Sequence, residues 1–154
     1  MGKHLAQLNI ARWQYPADDP RAAYFINNVE RINGLAERSD GFVWRLSDDG
    51  GFARVPLLSD PAIIATLSVW ESPEKLEKFV WQSVHKKFYN RKGEWFAPMG
   101  EAHFVMWWVE EGHHPTAQEA AERLQHLREH GPSDHAFGWE SLPQVQLWKK
   151  QQCA

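Results

Sequence analysis

The sequence predicts an α+β domain in the order strand, helix, strand, strand, helix, strand, followed by an extra C-terminal helix and tail. Three observations predict it. Short segments either alternate apolar and polar residues or run apolar and β-branched, as strands do. Longer segments between them repeat apolar residues every three or four positions, as helices packed by one face do. Capping residues and Gly/Pro breaks separate the segments.

HLAQLNIARW (4–13) opens the chain as a strand, with Ala6, Leu8 and Ile10 on one side and Gln7 and Asn9 on the other. From about Asp19, the residues Ala22, Phe25, Ile26, Val29, Ile32, Leu35 and Ala36 form one helical stripe. Asp18 or Asp19 before Pro20 supplies the N-cap and a first-turn proline. GFVWRLS (41–47) is a short strand, with Phe42, Trp44 and Leu46 expected on one face and Val43 and Arg45 on the other. DDGG (48–51) breaks it, and the stretch to Pro61 reads as a wide hairpin loop. AIIATLSVWES (62–72) suits a central strand.

Ser72-Pro73 starts a second helix, expected to run to Arg91 or Lys92, where Gly93 offers a stop. HFVMWWV (103–109) is a fourth strand, apolar on both faces. Thr116 with Glu119 reads as a capping box for the third helix, and Gly131-Pro132 closes it. This order is the split βαβ of a ferredoxin-like βαββαβ fold. It gives one domain over 1–154, with a core over about 4–110 and a C-terminal helix and tail over 116–154. Helices on one side of the sheet would leave the other side for a partner, and a second copy is the simplest one.

A formal net charge of −3 and the lack of a basic run argue against nucleic acid as a partner. Cys153 is the only cysteine, which excludes an internal disulfide or CxxC site and fits a reducing, cytoplasmic setting. No segment approaches the roughly 18 apolar residues of a membrane span, so no membrane partner is expected. Nine tryptophans and eight phenylalanines are the compositional anomaly. They suit an aromatic core with a subunit interface, or a pocket for a flat, greasy ligand.

LAQLNIA (5–11), GFVWRL (41–46), LSVWES (67–72), FVWQSVH (79–85), EWF (94–96), MWWVEEGHHPT (106–116) and HLREHGPS (126–133) together resemble an uncharacterised bacterial family. That family is grouped with the antibiotic-biosynthesis-monooxygenase-like dimeric α/β barrels. The resemblance implies a homodimer in which two ferredoxin-like sheets share a barrel, with a ligand cleft between sheet and helices in each subunit. It implies chemistry ranging from cofactor-independent monooxygenases of polycyclic aromatic substrates to haem enzymes, and brings no universal catalytic motif.

His85 stands at the edge of the second helix's apolar stripe, beside Trp81. Its imidazole suits a general acid/base at neutral pH, or an axial ligand to haem iron. Lys87 and Arg91, at i and i+4, could meet one anionic group, and Arg91 is the better bidentate partner for a carboxylate or propionate. Asn9 or Asn33 would orient a substrate carbonyl, with Trp44, Trp70 and Trp81 lining the pocket. Gln7, Asn9, Thr66, Ser68 and Trp70 would form one pocket wall if their strands share a face.

Glu122, His126 and His130 align at i, i+4 and i+8, opposite Ala120, Leu124 and Leu127, and read as a solvated face rather than a metal site. HExxH, GxSxG, P-loop and GxGxxG motifs are absent, which removes zincin, hydrolase, NTPase and nicotinamide-dehydrogenase readings. What the resemblance then implies is a monooxygenase-like small-molecule enzyme acting on an apolar or aromatic substrate, expected to use no cofactor and no metal. The alternatives are a haem-binding protein and a dimeric binder of an apolar metabolite.

Overall fold

The computed structural model describes residues 2–16, 18–46, 62–82, 86, 90–97 and 100–145. Lys3–Trp13 forms β1, Ala23–Glu37 α1, Phe42–Arg45 β2, Ile63–Trp70 β3, Pro73–Gln82 α2, Phe96–Ala97 β4, Phe104–Glu110 β5 and Ala117–His130 α3. The predicted loop before Pro61 lies outside the described residues, as do His85, Lys87 and Phe88 of the predicted second helix. No helix among the described residues is long and apolar enough to cross a membrane.

β1 is the centre of the sheet. It pairs antiparallel with β3 along one edge and with β5 along the other, so that Gln7 lies opposite both Ser68 and Met106. β2 pairs with the outer edge of β3, and the short β4 takes the end of β1 at Arg12 and Trp13. The order β2-β3-β1-β5 is that of the ferredoxin-like split βαβ, as the sequence predicts. β4, which the sequence reading does not anticipate, continues the same edge of β1.

One face carries Ala6, Leu8 and Ile10, level with Val69, Leu67 and Ala65 of β3, together with Val105, Trp107 and Val109 of β5. All nine are buried. Ala120, Ala121, Leu124 and Leu127 of α3 pack on this face. The small alanines bring the helix close, and each buried leucine contributes roughly 1.5–3 kcal/mol. The extra helix thus packs on the β5 and β1 side of the face that the sequence reading leaves for a second copy.

The opposite face lies under α1 and α2. At one end Leu5, Trp70 and Met106 pack with Ala36 of α1, Leu76 and Phe79 of α2, and the C-terminal residues Phe137, Leu142 and Val145. At the other end Trp13, Ala22 and Trp95 pack with Phe25, Ile64 and Phe96. α1 reaches from Phe25 in the second cluster to Ala36 in the first, roughly 16 Å at helical rise.

Two local expectations need correction. Phe42 is level with Trp70 but Trp44 is level with Val69, because a bulge between them adds one residue and turns Trp44 to the α3 side. Thr116 Oγ1 does accept from the Glu119 N–H at 3.0 Å. The Glu119 carboxylate, however, turns to the sheet, accepting from Trp107 Nε1 at 3.0 Å and lying 2.8 Å from His113 Nε2. Half of the capping box is spent on anchoring α3 to β5.

Candidate functional site

Between its two apolar clusters, the face under α1 and α2 becomes polar. Asn9 and Thr66 stand directly opposite one another and are both exposed. One step along, Gln7 is buried opposite Ser68. Gln7 Nε2 donates to Ser68 Oγ at 2.7 Å, and Trp70 Nε1 donates to the same oxygen at 2.9 Å. Accepting twice, the hydroxyl keeps its proton for a third partner. Arg45 of β2 is level with Ser68, its Nε 3.6 Å from Oε2 of Glu37 at the end of α1. A strip of hydrogen-bonding groups therefore crosses three strands.

An aromatic wall borders the strip. Across β1 from Thr66, the neighbour of Asn9 is Phe104. Trp139 stacks on Phe104 with centroids 5.5 Å apart and planes 14° apart, and Trp81 of α2 lies 6.4 Å from Trp139. Trp139 is held by the tight turn Trp139–Ser141 that follows Phe137, whose backbone pairs with Met106 on the outer edge of β5. Behind this stack a recess of about 440 Å³ is lined by His103, Phe104, Leu127, Trp139 and Glu140. A smaller one of about 180 Å³ lies beside Trp108 and Ser133.

The structure brings together some of the predicted residues and separates others. Asn9, Trp70 and Trp81 belong to the same layer. Trp70 is 1% exposed, edge-on to Phe42 and stacked with Phe79, so it supports the strip from within the core. Trp44 lies on the other face, stacked on His114 with centroids 4.7 Å apart. Asn33 is half-buried on α1.

Arg91 sits at the far cluster, donating through Nε and Nη2 to Glu94 at 2.8 and 3.0 Å, with its guanidinium over the rings of Tyr24 and Trp95. This hydrogen bonding holds the Glu94 carboxyl below the usual carboxylate range and raises Arg91. A guanidinium engaged in this way within its own turn does not fit a propionate clamp. His85 lies outside the described residues. Sequence reasoning missed Phe104 and Trp139. The first becomes a neighbour of Asn9 only through strand register, and the second lies in a tail without periodicity.

Residues 4–153 match the family described as Domain of unknown function (DUF3291). The chain belongs to that family. Among solved structures this DUF3291 chain is similar to a conserved protein from Methanosarcina mazei Go1, at 13% identity over 70% of this chain and 91% of that one, with a TM-score of 0.48. It is also similar to PA3566 from Pseudomonas aeruginosa, at 10% identity over 72% and 96% of the two chains, with a TM-score of 0.48. A third similar structure is a candidate antibiotic biosynthesis monooxygenase from Chloroflexus aurantiacus J-10-fl, at 17% identity over 72% and 97%, with a TM-score of 0.46. No curated protein matches the DUF3291 chain.

Proposed function

We propose that this chain binds a small, flat, largely aromatic molecule on the polar strip, against the Phe104–Trp139 stack. The observation that carries the reading is the exposed Asn9–Thr66 pair, set in the polar strip between the two apolar clusters of that sheet face and beside that stacked pair. A carboxamide offers both donors and an acceptor, and a hydroxyl can do either. Small-molecule sites combine apolar walls with a few such groups, and aromatic pairs add about 0.5–1.5 kcal/mol beyond their burial.

The catalytic form of this reading is monooxygenase-like and uses no cofactor. His85 takes a proton from an acidic methylene beside the substrate's carbonyl, while Asn9 donates to the carbonyl oxygen on which charge then collects. The carbanion reacts with dioxygen, and the methylene becomes a second carbonyl while the other oxygen atom leaves as water. Four electrons leave the carbon and reduce both oxygen atoms, so no further reductant is consumed.

Anthrone, a flat tricyclic ketone with an acidic methylene, tests both forms. It is expected to quench tryptophan fluorescence, with affinity reduced more than about tenfold in Asn9→Leu and Trp139→Ala. Oxygen uptake matching anthraquinone formation, lost in His85→Ala, supports the enzyme. Quenching without uptake supports the binder. Quenching that is unchanged in both strip variants overturns the site. A haemin titration that shifts the Soret band and depends on His85 would replace this reading with haem binding. The homodimer implied by the barrel resemblance is proposed separately, and sedimentation equilibrium reads it directly.

A further inference from the structure

The loop after α3 folds back onto the helix. Ser133 and Ala136 exchange backbone hydrogen bonds at 2.9 and 3.2 Å, making a tight turn, and Phe137 then pairs with Met106 of β5. Arg123 Nη1 donates to the His135 carbonyl at 2.8 Å, tying the turn to the helix from the other side. This places the His135 ring over the helix face that carries Glu122 and His126. His135 Nε2 lies 2.9 and 3.0 Å from the two Glu122 oxygens, and the ring centroids of His126 and His135 are 4.6 Å apart. One donor atom from each of the three residues lies within 4.8 Å of the others.

We propose that Glu122, His126 and His135 bind one divalent transition-metal ion, with zinc the best chemical fit. Two imidazoles and a carboxylate are borderline donors that suit zinc, cobalt or nickel, whereas magnesium and calcium take oxygen shells. Donors at tetrahedral corners around an ion with bonds of about 2.0–2.2 Å stand roughly 3.3–3.6 Å apart. The Glu122–His135 pair is already at contact, so closing His126 by about an ångström through side-chain rotation completes three ligands and leaves the fourth position for water.

The surroundings are those of an oriented site. Ser133 Oγ accepts from the His135 N–H at 3.2 Å and lies 3.5 Å from His126 Nε2. The first braces the turn that delivers His135, and the second can orient the His126 ring through the nitrogen that does not ligate. Arg123 Nε, 3.5 Å from Glu122 Oε2, orients the carboxylate but competes for its charge. The His130 ring, with its centroid 4.6 Å from that of His126, is a neighbour rather than a member of the set.

The consequence is structural. The clamped turn leads directly into Trp139, so an ion here would fasten the C-terminal segment to α3 whatever the polar strip binds. The test uses the full, untagged chain carrying Cys153→Ser, stripped with chelator and titrated calorimetrically with zinc chloride and, separately, cobalt chloride. The expected result is one ion per chain, a cobalt visible spectrum of four-coordinate intensity, and a Tm that rises with zinc.

Glu122→Gln, His126→Ala and His135→Ala should each weaken zinc by more than about tenfold. His113→Ala, at the other end of α3, should leave it unchanged. Glu122→Gln is near-isosteric and reports on the site without disturbing packing. No stoichiometric binding, or zinc binding equal to the parent's in Glu122→Gln or in either histidine variant, overturns the three-donor site.

Discussion

The two faces of the sheet use the same four principal strands differently. Under α3 the apolar surface is continuous, from Ala6 through Ile10 on β1 and from Val105 through Val109 on β5. Under α1 and α2 it is divided into two clusters by Gln7, Asn9, Thr66 and Ser68. A continuous face maximises area removed from water, while an interrupted one forgoes part of that area for hydrogen-bonding groups. The difference separates the face that holds the molecule together from the face on which we propose that a ligand binds.

The largest effect belongs to Trp107→Ala. The side chain is 0% exposed and also donates to Glu119, so the change opens a cavity and frees the carboxylate that anchors α3. A loss of about 3–5 kcal/mol in urea unfolding is expected, with the m-value retained. Ser68→Ala on the other face comes next, at about 1–3 kcal/mol, because it removes the acceptor shared by Gln7 and Trp70. Adding Gln7→Leu should recover part of this loss, which a purely packing role for Ser68 would not allow. If Ser68→Ala cost as much as Trp107→Ala, the two faces would not differ in kind.

A smaller effect is expected on acidification in the layer under α1 and α2. Hydrogen bonds from the Arg21 side chain and backbone hold Asp19 down at about 2, and Lys75 lowers Asp40 as Arg91 lowers Glu94. A carboxyl whose folded pKa lies below its unfolded value stabilises the fold once ionised. That contribution is complete above the ordinary carboxylate range and disappears as pH falls from about 4 towards about 2. Asp19 and Glu94 flank the cluster of Trp13, Phe25 and Trp95, so the Trp95 indole NMR signal should shift as pH falls from about 4 towards about 2. Asp19→Asn should shrink that shift, and a shift unchanged in Asp19→Asn would remove this contribution.

Period-2 alternation in β1 and β3 made the polar strip legible in the sequence, because it puts Gln7 with Asn9 and Thr66 with Ser68 within each strand. Whether those pairs share a face depends on register, which the antiparallel pairing of β1 with β3 supplies. The bulge in β2 was not legible. Nothing in GFVWRLS marks Val43 as the extra residue, yet that one residue sends Trp44 to the far side. The position of α3 was hidden for a different reason: its amphipathic stripe says that it covers something, but not which face. His135 escaped the helical spacing of Glu122 and His126 because a turn, not a helix, delivers it.

The smallest expected change in stability tests the comparison most sharply. Asn9 is exposed and belongs to neither apolar cluster of its face, so Asn9→Leu should move the unfolding free energy by no more than about 0.5 kcal/mol. An apolar residue in the gap joins the two clusters and can even stabilise the fold, the usual sign of a position kept polar for function. Anthrone affinity should nevertheless fall more than about tenfold, since leucine keeps the bulk of the side chain but removes every donor and acceptor. Asn9→Asp separates the roles further, because it retains the acceptors and loses the donors that a ligand carbonyl needs. A loss above about 1 kcal/mol in Asn9→Leu with unchanged anthrone affinity would make the strip a structural seam, and the two faces would then differ only in how they pack.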